Sequence, residues 1–163
     1  MPLEYDLAHH KLECPLSHKI IKYFPHHFYQ ERKELPYMSE TLLDKSISNY
    51  NVAVMIRNQM GSDEAYLNYI GYHLQQAVEL NLKYQLEMSG IEYPKTHDID
   101  QLLRIGKENG ADLLVTEYIE DHSEMFSLWE ARTRYVLNYH LEERKIDVAL
   151  KGVKELLDKT SDL

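Results

Sequence analysis

Seven polar residues between positions 73 and 98 are the side chains best placed to bind a ligand or a partner. His73, Gln76, Glu79 and Lys83 follow one another at steps of three, three and four residues. That spacing places all four on one face of a helix. A second group opens the next helix and consists of Thr96, His97 and Asp98. One interpretation is a binding site for a nucleotide or a partner. The other is a solvated face, on which Glu79 and Lys83 form an ion pair one turn apart.

The nine histidines invite a metal site, but their spacing does not support one. A di-iron bundle needs Glu-x-x-His pairs on facing helices, and the zinc protease signature is His-Glu-x-x-His. Neither pattern occurs, and phosphate-binding loops and the Gly-x-Ser-x-Gly motif are also absent. We therefore predict neither a metal site nor a cofactor.

Composition and charge limit the function further. A chain of 163 residues supports one domain, and none of its apolar runs approaches the ~18 residues of a membrane span. The single cysteine, Cys14, and an acidic N-terminus without an apolar stretch favour a cytoplasmic protein without membrane contact. The net charge of −9 argues against a broad basic face for nucleic acid, so any such contact has to be a small local one.

Apolar spacing along the chain predicts helices and no convincing strand. Residues 1–38 hold four of the five prolines and are predicted to form an irregular arm, followed by a helical domain at 39–163. Ser39 is the expected N-cap of a first helix that ends near Gly61. Further helices are expected over about 27 residues ending before Gly90, from Asp98, from Glu124 to Tyr135 and from Glu142 to Leu157. The segment 111–121 is ambiguous, with a weak helical tendency. The long second helix needs partners of similar length, which indicates an all-α bundle of about five helices.

The tract that contains the polar cluster resembles the HEPN domain family (higher eukaryotes and prokaryotes nucleotide-binding). The matching residues are Tyr72 to Glu79, Leu82-Lys83, Gly90, Pro94 to Asp98 and Leu102, with a shorter match at Trp129-Glu130 and Thr133-Arg134-Tyr135. The resemblance spans roughly residues 39–159. It implies an up-and-down helical bundle that forms a homodimer and binds a nucleotide or RNA. It also implies a nucleotidyltransferase-type partner, arranged as toxin and antitoxin.

The resemblance also gives roles to particular residues. The polar cluster would fix the long helix against the following loop, with Thr96 or Asp98 capping the next helix and His97 reaching back. HEPN ribonucleases carry an Arg-x(4–6)-His motif, and Arg134 and His140 have five residues between them. In that chemistry the histidine moves protons at the 2′-hydroxyl or the leaving oxygen, and the arginine holds the phosphate.

Tyr135 departs from this motif, because active members usually carry a small polar residue after the arginine. The Thr-Arg-Tyr context is closer to members in which nuclease activity cannot be assumed. Three hypotheses therefore stand: a metal-independent endoribonuclease, a binding module without catalysis, and a dimeric scaffold. If the first fails, Arg134 is expected to pair with Glu130 and His140 to lie exposed. For the dimer, the helix around Phe126 and Trp129 is the expected contact.

Overall fold

The computed structural model describes residues 39–161, and the arm predicted for residues 1–38 lies outside them. The described chain contains no strand, and the predicted all-α bundle is confirmed. Its six helices are α1 (Leu42–Gln59), α2 (Leu67–Met88), α3 (Ile99–Glu108), α4 (Glu117–Asp121), α5 (Ser123–Tyr135) and α6 (Glu143–Ser161). Every helix between residues 39 and 161 is too short or too polar to cross a lipid bilayer.

Helix α2 is the centre of the bundle and packs against α1, α3, α5 and α6. The residues that it buries lie around most of its circumference, because four neighbours surround it. Gly71 is one reason for the close packing, since a Cβ there would meet the side chains of Leu141 and Trp129. Leu67, Ile70 and Leu74 follow the apolar spacing of this helix, and all three are buried.

Local hydrogen bonds decide where the first two helices begin. Thr41, not Ser39, caps α1, because its hydroxyl accepts from the backbone of Asp44 while the Asp44 carboxylate accepts from Thr41. Asp63 caps a 3-10 turn at Glu64–Tyr66, and α2 starts after that turn. The second α-helix therefore has 22 residues and is shorter than predicted. It ends before Gly90, whose φ of 69° allows the chain to turn.

The ambiguous segment holds a short additional helix. Residues 111–115 carry no helix, and Leu114 donates its backbone N–H to the Gln85 side chain over 2.6 Å. Thr116 then caps α4 by accepting from the backbone of Ile119. The described residues therefore form six helices, where the sequence predicted about five.

The predicted dimer contact at Phe126 and Trp129 is wrong. Both side chains are buried within the chain, at 0% and 1% exposure, and their rings meet edge to face at 5.2 Å. The close approach of α2 at Gly71 encloses Trp129. Apolar spacing identified the buried face of α5 correctly but could not tell an internal partner from a second copy.

Candidate functional site

Glu79 is the centre of the first polar cluster, and its carboxylate is 3% exposed. It accepts hydrogen bonds from Gln75 Nε2 and from Lys83 Nζ, both at 2.8 Å and both on α2. The predicted ion pair between Glu79 and Lys83 is therefore confirmed. The solvated face is wrong for Glu79, because the loop before α3 covers it.

His97 provides that cover. Its Nδ1 lies 3.0 Å from Glu79 Oε2, and because a carboxylate accepts, Nδ1 carries the hydrogen. The next residue, Asp98, caps α3 by accepting from the backbone N–H of Gln101 at 3.0 Å. Thr96 accepts from the backbone N–H of Asp98 at 3.1 Å. The predicted cap and the contact from His97 back to the long helix are both confirmed.

His73 and Gln76 also have partners inside the bundle. His73 Nδ1 lies 2.9 Å from the Asn49 side-chain oxygen on α1, and burial lowers the pKa of the imidazole. Gln76 donates to the Gln75 side chain over 2.7 Å. The residues of this cluster are thus engaged with one another or with α1, which is what a structural role requires. A ligand-binding role for them stays a prediction.

A second buried polar network extends from α2 to the end of α6. Asn81 donates to Thr160 over 3.1 Å, and Gln85 donates to Asn81 over 2.7 Å. All three side chains are at most 3% exposed. The sequence did not predict this network, because Asn81 falls at the apolar spacing of the long helix, four residues after Ala77. The available signal was a pair of amides four residues apart within a buried pattern.

Arg134 lies in the last turn of α5, close to acidic and aromatic groups. Its Nε donates to the Glu130 carbonyl over 2.9 Å, and its guanidinium forms an ion pair with the Glu130 carboxylate. The guanidinium carbon also lies 5.1 Å from the ring centre of Tyr72 and 4.8 Å from that of Tyr135. The predicted pair with Glu130 is confirmed, and the side chain remains 35% exposed.

His140 lies in the connection between α5 and α6 and is exposed, as the alternative interpretation predicted. Asn68 on α2 holds the residues on either side of it. The side-chain amide of Asn68 donates to the Tyr139 carbonyl over 2.5 Å and accepts from the Leu141 backbone N–H at 3.2 Å. Asn138 turns the chain at a φ of 61°. The backbone at His140 is therefore fixed, while its imidazole lies in solvent.

Three consecutive apolar residues are exposed at the end of α5 and in the connection that follows it. Tyr135, Val136 and Leu137 are 72%, 52% and 89% exposed, although the side chains of Val136 and Leu137 have no polar group to present to water.

Among residues 39–161, no group of three His, Cys, Asp or Glu side chains is placed to hold a metal ion.

The HEPN domain family model matches residues 40–163. The chain belongs to the HEPN domain family. No curated protein and no solved structure shows a significant match.

Within this HEPN domain, the two candidate sites differ in how far their polar side chains are exposed to solvent. Glu79 is enclosed by side chains of its own chain, whereas Arg134 and His140 lie on the surface around an exposed apolar loop. An exposed guanidinium can bind a phosphate, and an exposed imidazole can donate or accept a proton. Of the two candidate sites, the one around the connection between α5 and α6 is the one exposed to solvent.

Proposed function

We propose that this HEPN domain forms a homodimer and binds a nucleotide or RNA at the connection between α5 and α6. We further propose that it acts with a nucleotidyltransferase-type partner, as toxin and antitoxin. One observation carries the proposal: Arg134 and His140 flank an apolar loop of which Leu137 is 89% exposed. An exposed apolar surface with polar residues at its edge is typical of an interaction site.

The charge of the chain explains why the contact has to be local. With a net charge of −9, the protein as a whole repels a polyanion. A phosphate would reach Arg134 by competing with Glu130 for the guanidinium, which can form two parallel hydrogen bonds to phosphate oxygens. A second copy that covers Tyr135, Val136 and Leu137 would bring a second Arg134 and His140 to the same place.

Oligomeric state tests the dimer. Leu137→Asp places a charge in the proposed interface and should convert a dimer to a monomer in light scattering at tens of micromolar. Met88→Asp is the matched control. Met88 is also an apolar residue and 68% exposed, but it lies at the C-terminal end of α2, outside the proposed interface. A monomeric wild-type protein, or a Leu137→Asp variant that remains dimeric, would contradict the interface.

Binding of a fluorescent single-stranded RNA tests the ligand site. Arg134→Ala should weaken binding by about tenfold, as expected when a charge-assisted contact to phosphate is lost. Arg132→Ala removes the same charge from the same turn of α5 and should change the affinity by less than about twofold. Equal losses in the two variants would show that only net charge matters, and the proposed site would then be withdrawn.

The partner needs its own test. Co-expression with a nucleotidyltransferase encoded beside this chain should yield a complex of fixed stoichiometry. A mixture that separates on gel filtration at micromolar concentrations would remove the partner from the proposal and leave the binding site intact.

A metal-independent endoribonuclease is the second candidate. It is favoured by His140, whose exposed imidazole has no hydrogen-bond partner among residues 39–161. Cleavage should persist in chelator, fall at low pH if a neutral histidine is the base, and disappear in both His140→Ala and Arg134→Ala. RNA that stays intact with wild-type protein at every pH tested would reject catalysis without affecting the binding proposal.

A further inference from the structure

A small cavity lies between α4, the start of α5 and the first two turns of α6. Its volume is about 250 Å³, and its walls include Tyr118, His122, Met125 and Val148. Tyr118 and His122 stack with ring centres 4.3 Å apart. Gly152 makes room for the Tyr118 ring, because any Cβ at that position would overlap it.

Two cations line the same cavity. Arg144 and Lys145 are exposed, and no ion pair joins either of them to an acidic side chain of residues 39–161. The acidic residues next to them on α6, Glu143 and Asp147, are already paired with Arg57 on α1.

Glu142 is the acidic residue in the lining of the cavity. With His122 neutral, the walls carry one net positive charge within a chain of net charge −9. Unpaired cations at a concave apolar wall form an arrangement that binds an anion with an apolar body.

His122 is held in one orientation. Its Nδ1 lies 2.9 Å from the Tyr118 carbonyl oxygen, and because a carbonyl only accepts, Nδ1 carries the hydrogen. In the neutral ring Nε2 is then an acceptor for a hydroxyl or an N–H group. Aromatic, apolar, cationic and acceptor groups thus surround a space that is smaller than the ~300–1,000 Å³ of most ligand pockets.

We propose that this cavity binds a small phosphomonoester. Arg144 and Lys145 hold the phosphate, and the wall formed by Tyr118, His122 and Met125 contacts a planar or apolar body. The proposal goes beyond the function proposed above, because it uses neither Arg134, His140 nor the exposed apolar residues between them, and it needs no dimer.

Phenyl phosphate is the probe that separates the two halves of the site. Titration of the full chain, followed by calorimetry and by backbone NMR shifts, should show saturable binding with a Kd of about 1 mM, as expected for so small a ligand. Inorganic phosphate and phenol should each bind at least about tenfold more weakly, because each lacks one half. The largest shifts should fall at residues 118–125 and 142–148.

Two variants of equal charge provide the control. Arg144→Ala with Lys145→Ala should weaken phenyl phosphate binding by at least about tenfold. Lys151→Ala with Lys154→Ala removes two exposed cations from the same helix and should change it by less than about twofold. Val148→Phe adds volume to the wall without changing charge and should also abolish binding. Circular dichroism checks that each variant is folded.

Three results would overturn the proposal: no saturable shift up to about 20 mM probe, equal losses in the two double variants, or shifts confined to residues 134–141. AMP in place of phenyl phosphate identifies the source of the ligand. Tighter binding of AMP indicates a nucleotide, and weaker binding indicates another phosphomonoester. Arg134→Ala should leave phenyl phosphate binding unchanged, so failure of this site and failure of the proposed function are separate outcomes.

Discussion

Replacing Glu79 with alanine should destabilise the domain by about 2–4 kcal/mol. The change leaves the Gln75 amide, which is fully buried, without its acceptor, at a cost of about 1–3 kcal/mol. It also removes the anion next to Lys83, whose side chain is 13% exposed. Breaking a fully buried pair costs about 3–5 kcal/mol, and this pair should cost less because Lys83 can turn towards solvent.

The measurement is urea unfolding followed by circular dichroism. Glu79→Gln keeps the volume and one acceptor but loses the charge, so it should cost about 1–2 kcal/mol. Asp158→Ala is the control, because its pair with Lys154 has the same four-residue spacing but side chains 56% and 62% exposed. It should cost less than about 0.5 kcal/mol. Alanine raises helix propensity in both cases, so propensity does not explain a loss.

The same variant should loosen the loop before α3, because His97 loses its contact with α2. Amide hydrogen exchange at residues 95–98 should quicken in Glu79→Ala more than the change in global stability explains. A loss of stability below about 1 kcal/mol, together with unchanged exchange in this loop, would refute the view that Glu79 holds it.

Three further predictions concern single positions. Asp98→Ala removes the cap of α3 and should cost about 1 kcal/mol in urea unfolding. Burial lowers the pKa of His73 from 6.5, so its contribution to stability is present above pH 6.5 and is lost as the pH falls through the lower native pKa. His73→Gln should therefore flatten stability against pH on the acidic side of 6.5. Gly152→Ala gains about 1 kcal/mol of helix propensity but forces a Cβ against the Tyr118 ring, so a net loss of about 1 kcal/mol is expected in thermal unfolding.

The helices could be predicted from the sequence wherever local chemistry determines them. Gly90 ends α2 and Asp98 caps α3, and each acts through its own backbone and the residues next to it. Both predictions are confirmed. The short α4 could not be assigned, because its position depends on contacts far along the chain. Gln85 binds the backbone before it, and Gly152 accommodates Tyr118 within it.

In the candidate site, too, the sequence predicted the contacts between neighbouring residues but not those between distant elements. The pair of Arg134 with Glu130 spans one helical turn, and the spacing alone predicted it. The burial of Glu79 and the position of Trp129 depend on which surface of another element covers them. A single sequence marks a residue as apolar or polar, but it does not name the partner, and the predicted dimer contact at Trp129 failed for that reason.

Tyr135 bears on both candidate functions through Arg134. The ring of the residue after the arginine lies 4.8 Å from the guanidinium carbon, and Tyr72 on α2 adds a second ring at 5.1 Å. Cation–π contacts of this kind leave the guanidinium charged and with donors that can still bind oxygen. The two rings therefore position Arg134 without using its hydrogen-bond donors. The Glu130 carboxylate does use them, so it competes with a phosphate. Phosphate binding would thus require Arg134 to exchange Glu130 for the phosphate, and cleavage would further require a dimer that places His140 beside the same phosphate.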